Sequence, residues 1–307
     1  MSCILFRCSR CDFCCVPDMW TLACRLCNAP LDVEHSDSDF DFSDKEFQIP
    51  SHSDRFNCDI WLGEGNTPTV SLHSVGKALG VKRVYGKLEY VNPTGSFKDR
   101  GSAVMITAAN EYGVKELIED SSGNAGASVS AYSARAGIKA HIFVPSTISR
   151  VKLKQIGYYG AEIHGVDGSR DEVTQSAIEY GETHEMVYAS HVLSPYFIEG
   201  TKRFAYEVFN TFGGNMPEHI LFPVGGGTLY VGAYKGFREL FSAGRISKIP
   251  HLHCVQTSAI MPIVKAYDGV DWMSEDASQT SAEGIAVEVP ARKNQVLDIL
   301  SITEGVA

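Results

Sequence analysis

Lys98 stands in the stretch NPTGSFKDRG (92–101), behind a glycine turn and at the start of a helical-looking run. An ammonium is disfavoured near the positive end of a helix, so this amine should deprotonate readily and be able to attack an aldehyde. The plain alternative is a lysine that is solvated or paired with its neighbour Asp99. A second stretch, HILFPV followed by Gly225, Gly226, Gly227 and Thr228, reads as a strand, a glycine turn and a helix start. Glycines let backbone N–H groups approach a phosphate, the helix N-terminus favours its charge, and the Thr228 hydroxyl can donate one more bond. A tight turn with no ligand would look similar. The third stretch, SSGNAGAS, offers Ser121 or Ser122 as a helix cap, the N–H groups of Gly123 to Ala125 for a carboxylate, and the side-chain amide of Asn124. Standing alone, it would equally suit a capped helix whose small residues pack closely.

The three stretches occur together. A dinucleotide site would want G-x-G-x-x-G and an acidic residue about twenty positions onward, and neither is present, so a single phosphomonoester fits the glycine turn better. One lysine, one phosphate cradle and one carboxylate loop are what pyridoxal phosphate requires.

The cysteines carry a separate signal. Seven of the nine lie in the first 27 residues, and Cys8-x-x-Cys11 and Cys24-x-x-Cys27 are separated by twelve residues. Two knuckles of two thiolates each would complete a closed, structural tetrahedral zinc shell. Cys14 and Cys15 compete for the assignment, because Cys11-x-x-Cys14 is an equally good knuckle, and disulfides are the plain alternative. Cys58 and Cys254 read as buried thiols.

These residues must be positioned by the elements around them. Residues 1–32 read as a zinc-ribbon-like module and 33–56 as an acidic linker or arm, whose segment EHSDSDFDFSDKEF holds six acids and one lysine. Phe40, Phe42 and Phe47 would let that arm dock. Residues 57–307 read as a catalytic domain of two α/β subdomains. There RVYGKL, KAHIFV, EMVYAS, HILFPV and HLHCVQ read as strands. They alternate with helices over 98–112, from ASVSAYSARAG, over 152–159, around 196–212 and over 229–241. Such alternation predicts an α/β fold of open, mostly parallel sheets with helices on both faces, its sites beyond the strand carboxyl ends. The end, ILSITEGVA, reads as lying in or just after a strand. A net charge of -10 and the absence of a basic stripe oppose nucleic acid as a partner. No run is long and apolar enough for a membrane span, and the N-terminal apolar run is too short for a secretory signal, which makes the expected location cytoplasmic.

GEGNTPTVSL (63–72), VNPTGSFKDRG, SSGNAGAS, SPYFIEGTKRFAYEVF (194–209) and AEGIAVEVP (282–290) resemble the threonine synthases and their relatives among fold type II pyridoxal-phosphate enzymes. The ribbon ending CRLCNAPLDV is similar to the one many threonine synthases carry. The resemblance implies that Lys98 forms the internal aldimine with Phe97 packed beside the cofactor, and that Asn124 bonds the phenolic oxygen. Gly225, Gly226, Gly227 and Thr228 would hold the cofactor phosphate. Ser121, Ser122, Gly123 and Ala125 would receive the substrate carboxylate, and Lys152 matches a lysine of the substrate-phosphate pocket. The implied reaction converts O-phosphohomoserine and water to threonine and phosphate in a homodimer whose cleft closes between two subdomains.

Some positions depart from the family. A G-N-x-G-N phosphate loop is usual, and GGGT is closer to serine/threonine dehydratases and cysteine synthases. Where the family shows Asn-Ser-x-Asn-Pro-Tyr-Arg, this chain has His191, Val192, Leu193, Ser194, Pro195, Tyr196 and Phe197, so the arginine position is Phe197. Lysine offers a point charge where arginine offers a fork, although His191 could contribute. The family also continues to a small polar residue beside the pyridine nitrogen, so the C-terminus reads as truncated. These departures favour, as alternatives, an ammonia-lyase acting on serine or threonine or a cysteine-synthase-like β-replacement enzyme. An inactive zinc-binding scaffold is the remote alternative. His191, His251 and His253 would make a metal site only if folding brought them together.

Overall fold

A computed structural model describes residues 4–35, 60–148 and 150–307. The cysteine-rich stretch forms an antiparallel sheet of β1 (Leu5–Cys8), β2 (Cys14–Cys15) and β3 (Leu31–Glu34), in the order β2-β1-β3. Its inward residues Phe6, Leu31 and Val33 share a core with the larger body of the chain, and the Phe6 ring meets Tyr196 edge-on at 5.2 Å. Most of the acidic arm, its three phenylalanines and Cys58 lie outside the described residues.

The larger body begins with β4 (Thr69–Ser71), α1 (His73–Leu79) and β5 (Tyr85–Lys87), the two strands pairing antiparallel. Then come α2 (Lys98–Glu111), β6 (Glu116–Glu119), α3 (Asn124–Ala136), β7 (Lys139–Pro145), α4 (Arg150–Tyr158), β8 (Glu162–Val166), α5 (Arg170–His184) and β9 (Val187–Tyr188). These four strands form one parallel sheet, in the order β8-β7-β6-β9. The period-2 geometry of β7 explains the layering: Ala140, Ile142 and Val144 join the core with Val129 and Tyr132 of α3, whereas Phe143 faces Val173 and Ala177 of α5.

The remainder is α6 (Pro195–Thr201), α7 (Arg203–Phe212), β10 (His219–Pro223), α8 (Thr228–Ser242), β11 (His251–Val255), α9 (Pro262–Tyr267) and α10 (Lys293–Ile302), with β10 and β11 parallel. The α/β expectation holds. The single helix expected around 196–212 is divided at Lys202, where the Thr201 hydroxyl bonds Ile198 O at 2.9 Å and Thr228 O at 3.1 Å. ILSI is helical, contrary to the strand expectation, because Val296, Ile299 and Leu300 bury one stripe at helical spacing. The residues beyond it run beside β11, where the Cys254 N–H donates to Val306 O at 2.9 Å.

Helices α2 and α6 cross at a contact only glycines permit. A Cβ on Gly200 would lie 1.9 Å from Arg100 O, and one on Gly101 would lie 2.5 Å from the Phe197 ring. Phe197 is fully buried there, which stabilises the fold by roughly 1.5–3 kcal/mol and fixes the helix that begins with Lys98.

Candidate active site

The turn ahead of Lys98 is held from below by Asp99. Its buried carboxylate accepts hydrogen bonds from Thr94 N at 2.7 Å, Thr94 Oγ1 at 2.6 Å and Ser128 Oγ at 2.6 Å. Asp99 therefore spends its oxygens on the turn and on α3 rather than on the neighbouring lysine. Arg100, fully buried, reaches Glu89 and Glu207, and Glu207 also accepts from Asn66 N at 2.8 Å and meets Lys87 Nζ at 2.8 Å. The stretches GEGNTP and VNPTGSFKDRG and helix α7 are thereby joined through one guanidinium.

Lys98 is half-buried, with its Nζ 3.9 Å from the centroid of the Phe97 ring. Burial pushes its amine down to about 8, against the opposing charge of Glu119. That carboxylate ends β6, is fully buried, and is held by His191 through Nδ1 at 2.9 Å and the backbone N–H at 3.2 Å. Burial raises the Glu119 carboxyl above its ordinary range, and His191 opposes that rise.

Immediately after β6, Ser121, Ser122 and Gly123 form the bend that starts α3. The expected serine cap is not made: the Ser121 hydroxyl accepts from Gly123 N at 3.3 Å, and α3 has no side-chain cap. A Cβ on Gly126 would lie 1.9 Å from Ser121 O, so the bend folds tightly over the helix. Asp120, buried, secures the bend from outside through Arg170 at 2.7 Å and Thr174 at 2.6 Å.

The glycine turn lies between β10 and α8. Gly227 has φ 89° and directly precedes α8, which also lacks a side-chain cap. Both helix starts therefore present N–H donors that no capping side chain takes up. The space around the turn is graded. A Cβ on Gly225 would be 3.0 Å from Ile285 Cα and one on Gly227 2.8 Å from Val296, whereas one on Gly226 would meet only Val192, at 3.9 Å.

The stretches SSGNAGAS and AEGIAVEVP and the glycine turn meet. Val192, against Gly226, follows the His191 that grips Glu119. Asn124 Nδ2 lies 3.9 Å from where a Cβ on Gly284 would sit, and the adjoining Ile285 touches Gly225. Lys152 lies on α4. Phe197 is core and faces Gly101, so no anion-binding group stands at that position. His191, His251 and His253 do not converge: His191 serves Glu119, while His253 meets His219 at 3.0 Å.

Two positioning elements escaped the reading of the sequence. Arg292, fully buried, donates to Val192 O at 2.7 Å and Leu193 O at 3.2 Å and reaches Asp32 at 3.3 Å, tying the loop behind Gly226 to β3. A lone arginine in ARKNQ gives no signal of this. The 3-10 turn Glu283–Ile285 bridges Asn124 and Gly225, and nothing local in AEGIAVEVP signals that role.

In the ribbon, Cys8, Cys11, Cys24 and Cys27 gather, with Sγ–Sγ separations of 3.5 Å (Cys8–Cys27), 3.6 Å (Cys11–Cys24) and 3.7 Å (Cys11–Cys27). Disulfide sulfurs would be about 2.0 Å apart. Four thiolates about 2.3 Å from one zinc would be separated by about 3.8 Å. Cys14 and Cys15 stand on β2 outside this group, and Cys254 is a buried thiol that burial pushes up to about 12.

Solved structures share this architecture. Maize serine racemase superposes with a TM-score of 0.66 at 22% identity, covering 76% of this chain and 69% of that one. The processed threonine deaminase isoform 2 of Solanum lycopersicum gives 0.64 at 23%, covering 75% and 62%. At such identities the likeness is one of fold. Residues 60–307 match the family model "Pyridoxal-phosphate dependent enzyme", and the chain belongs to that family. The motif resemblance is borne out as well. The threonine synthase of Methanocaldococcus jannaschii is 33% identical over 251 residues, covering 81% of this chain and 62% of that protein. That of Bacillus sp. (strain ULM1) is 38% identical over 210 residues, covering 68% and 58%. The chain thus spans about three fifths of the length of these relatives.

Proposed function

We propose that this chain is a pyridoxal-phosphate-dependent lyase of the threonine synthase type, converting O-phosphohomoserine and water to threonine and phosphate. The observation that carries the reading is Lys98, an amine at a helix start that burial lowers to about 8; the two helices that open at Asn124 and Thr228 likewise have no side-chain cap. The residues fit the cofactor. Gly226 leaves room over the start of α8 for a phosphate, Thr228 is the first residue of that helix, and Asn124 opens α3. In this reading Gly225, Gly226, Gly227 and Thr228 hold the cofactor phosphate, Asn124 bonds the ring oxygen and Phe97 packs beside the ring. Ser121, Ser122, Gly123 and Ala125 take the substrate carboxylate.

When bound, the cofactor supplies an electron sink for the carbanion formed at the substrate α-carbon. Lys98 would hold the cofactor, and its free amine would carry the α-proton. An amine near pKa 8 can both accept and return that proton at neutral pH. Lys152 and His191 would meet the substrate phosphate. His191 uses Nδ1 for Glu119 and so keeps Nε2 for an oxygen. Phosphate release from O-phosphohomoserine, measured beside Lys98→Ala, tests the reading; no release by the purified protein carrying its cofactor would overturn the substrate.

The second reading keeps the cofactor and replaces the reaction with ammonia elimination from serine or threonine. The buried Phe197 favours it, because the position expected to bring an arginine to the substrate phosphate brings a core ring. Production of pyruvate or 2-oxobutanoate would select it. We also infer that the four gathered cysteines hold a structural zinc ion, since their separations suit a thiolate shell and not disulfides. Thiols kept in that form favour a reducing compartment such as the cytosol, and the resemblance favours a homodimer. Among the described residues no helix is long and apolar enough to cross a membrane.

A further inference from the structure

At the rim of the four-stranded sheet opposite Ser121, two histidines and a glutamate meet. His141 lies on β7, and Glu162 and His164 on β8; His141 pairs with Glu162 across the ladder and Phe143 pairs with His164. The period of the strands therefore puts all three side chains on the face that α5 covers. His141 Nδ1 lies 3.0 Å from His164 Nε2. The Glu162 carboxylate turns toward both rings, 3.5 Å from His164 Nε2 and 3.9 Å from His141 Nδ1. Behind His141, Glu116 lies 2.8 Å from Nε2. With the ring proton on that nitrogen, Nδ1 presents its lone pair to the cluster.

We propose that His141 Nδ1, His164 Nε2 and the Glu162 carboxylate form a site for a divalent transition metal such as zinc. A metal about 2.0–2.1 Å from each nitrogen holds them about 2.9 Å apart at a right angle and about 3.4 Å apart at the tetrahedral angle. The observed 3.0 Å falls within that range. Imidazole and carboxylate are ligands such ions accept, and Glu116 is the outer carboxylate that a ligating histidine characteristically carries on its other nitrogen. His141 is almost fully buried, while Glu162 opens to solvent and gives the ion an entry path. Lys139 Nζ, 2.8 Å from Glu162, is itself half-exposed and can turn into water when the carboxylate is engaged. Tyr180 walls the site, its ring centroid 5.7 Å from that of His141 and 5.1 Å from that of His164. The ion ties the sheet-edge strand β8 to β7 and takes no part in the chemistry at Lys98. The competing arrangement is a plain hydrogen bond between two neutral imidazoles, which would hold no metal.

The test uses the complete chain, stripped of metal and given one equivalent of Zn2+ to fill the four-cysteine cluster, then titrated with Co2+ and followed by absorbance. Cobalt does not displace zinc from thiolates, being the weaker binder. The expected result is one further saturable equivalent with weak ligand-field bands and no sulfur-to-cobalt charge transfer. Glu116→Gln weakens this binding about 10–100-fold, and His164→Ala abolishes it. Absence of a second saturable equivalent in the unaltered chain would overturn the proposal, as would unchanged affinity in His164→Ala. Circular dichroism checks that the variants fold, and if His164→Ala does not, Glu162→Gln decides: lost binding supports the site and unchanged binding overturns it.

Discussion

Glu119 and His191 are joined twice, through the imidazole Nδ1 at 2.9 Å and the backbone N–H at 3.2 Å, although 72 residues separate them. One buried carboxylate thus fixes the bend at Ser121 to the loop that brings Val192 against Gly226. Its negative charge also raises the pKa of Lys98 against the effect of burial.

Glu119→Gln keeps the shape and removes the charge. Lys98 should then deprotonate at lower pH than in the parent, and the fold should lose about 1–3 kcal/mol from the weakened buried hydrogen bonds. The pH profile of lysine-specific labelling, read by mass spectrometry at Lys98, checks the first effect and denaturant unfolding the second. A profile that moves upward would contradict the arrangement.

Lys98 itself should label with a midpoint near pH 8 in the cofactor-free protein, instead of the ordinary 10.5. Because folding lowers this pKa, the folded state binds fewer protons there than the unfolded chain between about 8 and 10.5. Stability should therefore rise with pH across that window. A labelling midpoint at the ordinary value would show that the amine is solvated.

Much of this site could be read in the chain itself. A lysine behind a glycine turn, GGGT after HILFPV and SSGN before small residues are local signals, and the helices indeed begin at Lys98, Asn124 and Thr228. What escaped is long-range or disguised. ELIE is a buried strand with a glutamate at each end, so neither alternation nor an apolar run announces β6. Its Glu119 is explained only by His191, and Arg292 only by carbonyls far away in the sequence. Helix α5 begins with a Ser169–Glu172 capping box, a local S-x-x-E signal of a helix beyond those expected from the alternation of strands and helices. The competition among cysteines needed three dimensions, since Cys14 pairs with Arg7 in the β-ladder and so faces away from the knuckles.

The crossing of α2 and α6 leaves no room at Gly101. Gly101→Ala should destabilise the protein by about 1–3 kcal/mol through overpacking against Phe197, and a simultaneous Phe197→Leu should recover part of that loss. Phe197→Arg should cost about 3 kcal/mol or more, because it buries an unpaired charge, and it should not improve use of a phosphorylated substrate. Thermal melts of Gly101→Ala, Phe197→Leu, their double variant and Phe197→Arg check this; full additivity of the first two changes would contradict the contact.

Acid should weaken the Arg100 network. Burial opposes ionisation of Glu207, but the hydrogen bonds and charge of Arg100 outweigh it and lower the carboxyl from 4.5 to about 2. Its stabilisation is present above the unfolded value and is lost as the pH falls from about 4.5 toward 2. The amount is on the order of 3 kcal/mol. Glu207→Gln should flatten the stability profile in that window; a variant with the parent's acid slope would remove Glu207 from the account.

The central claim is that Lys98 is the cofactor lysine of a threonine synthase-like site. It is tested most directly by the visible absorbance of the protein with pyridoxal phosphate, before and after O-phosphohomoserine, beside Lys98→Ala. The account predicts a band that needs Lys98 and shifts when this substrate is added. A band that forms equally in Lys98→Ala, or no band at all, would contradict it.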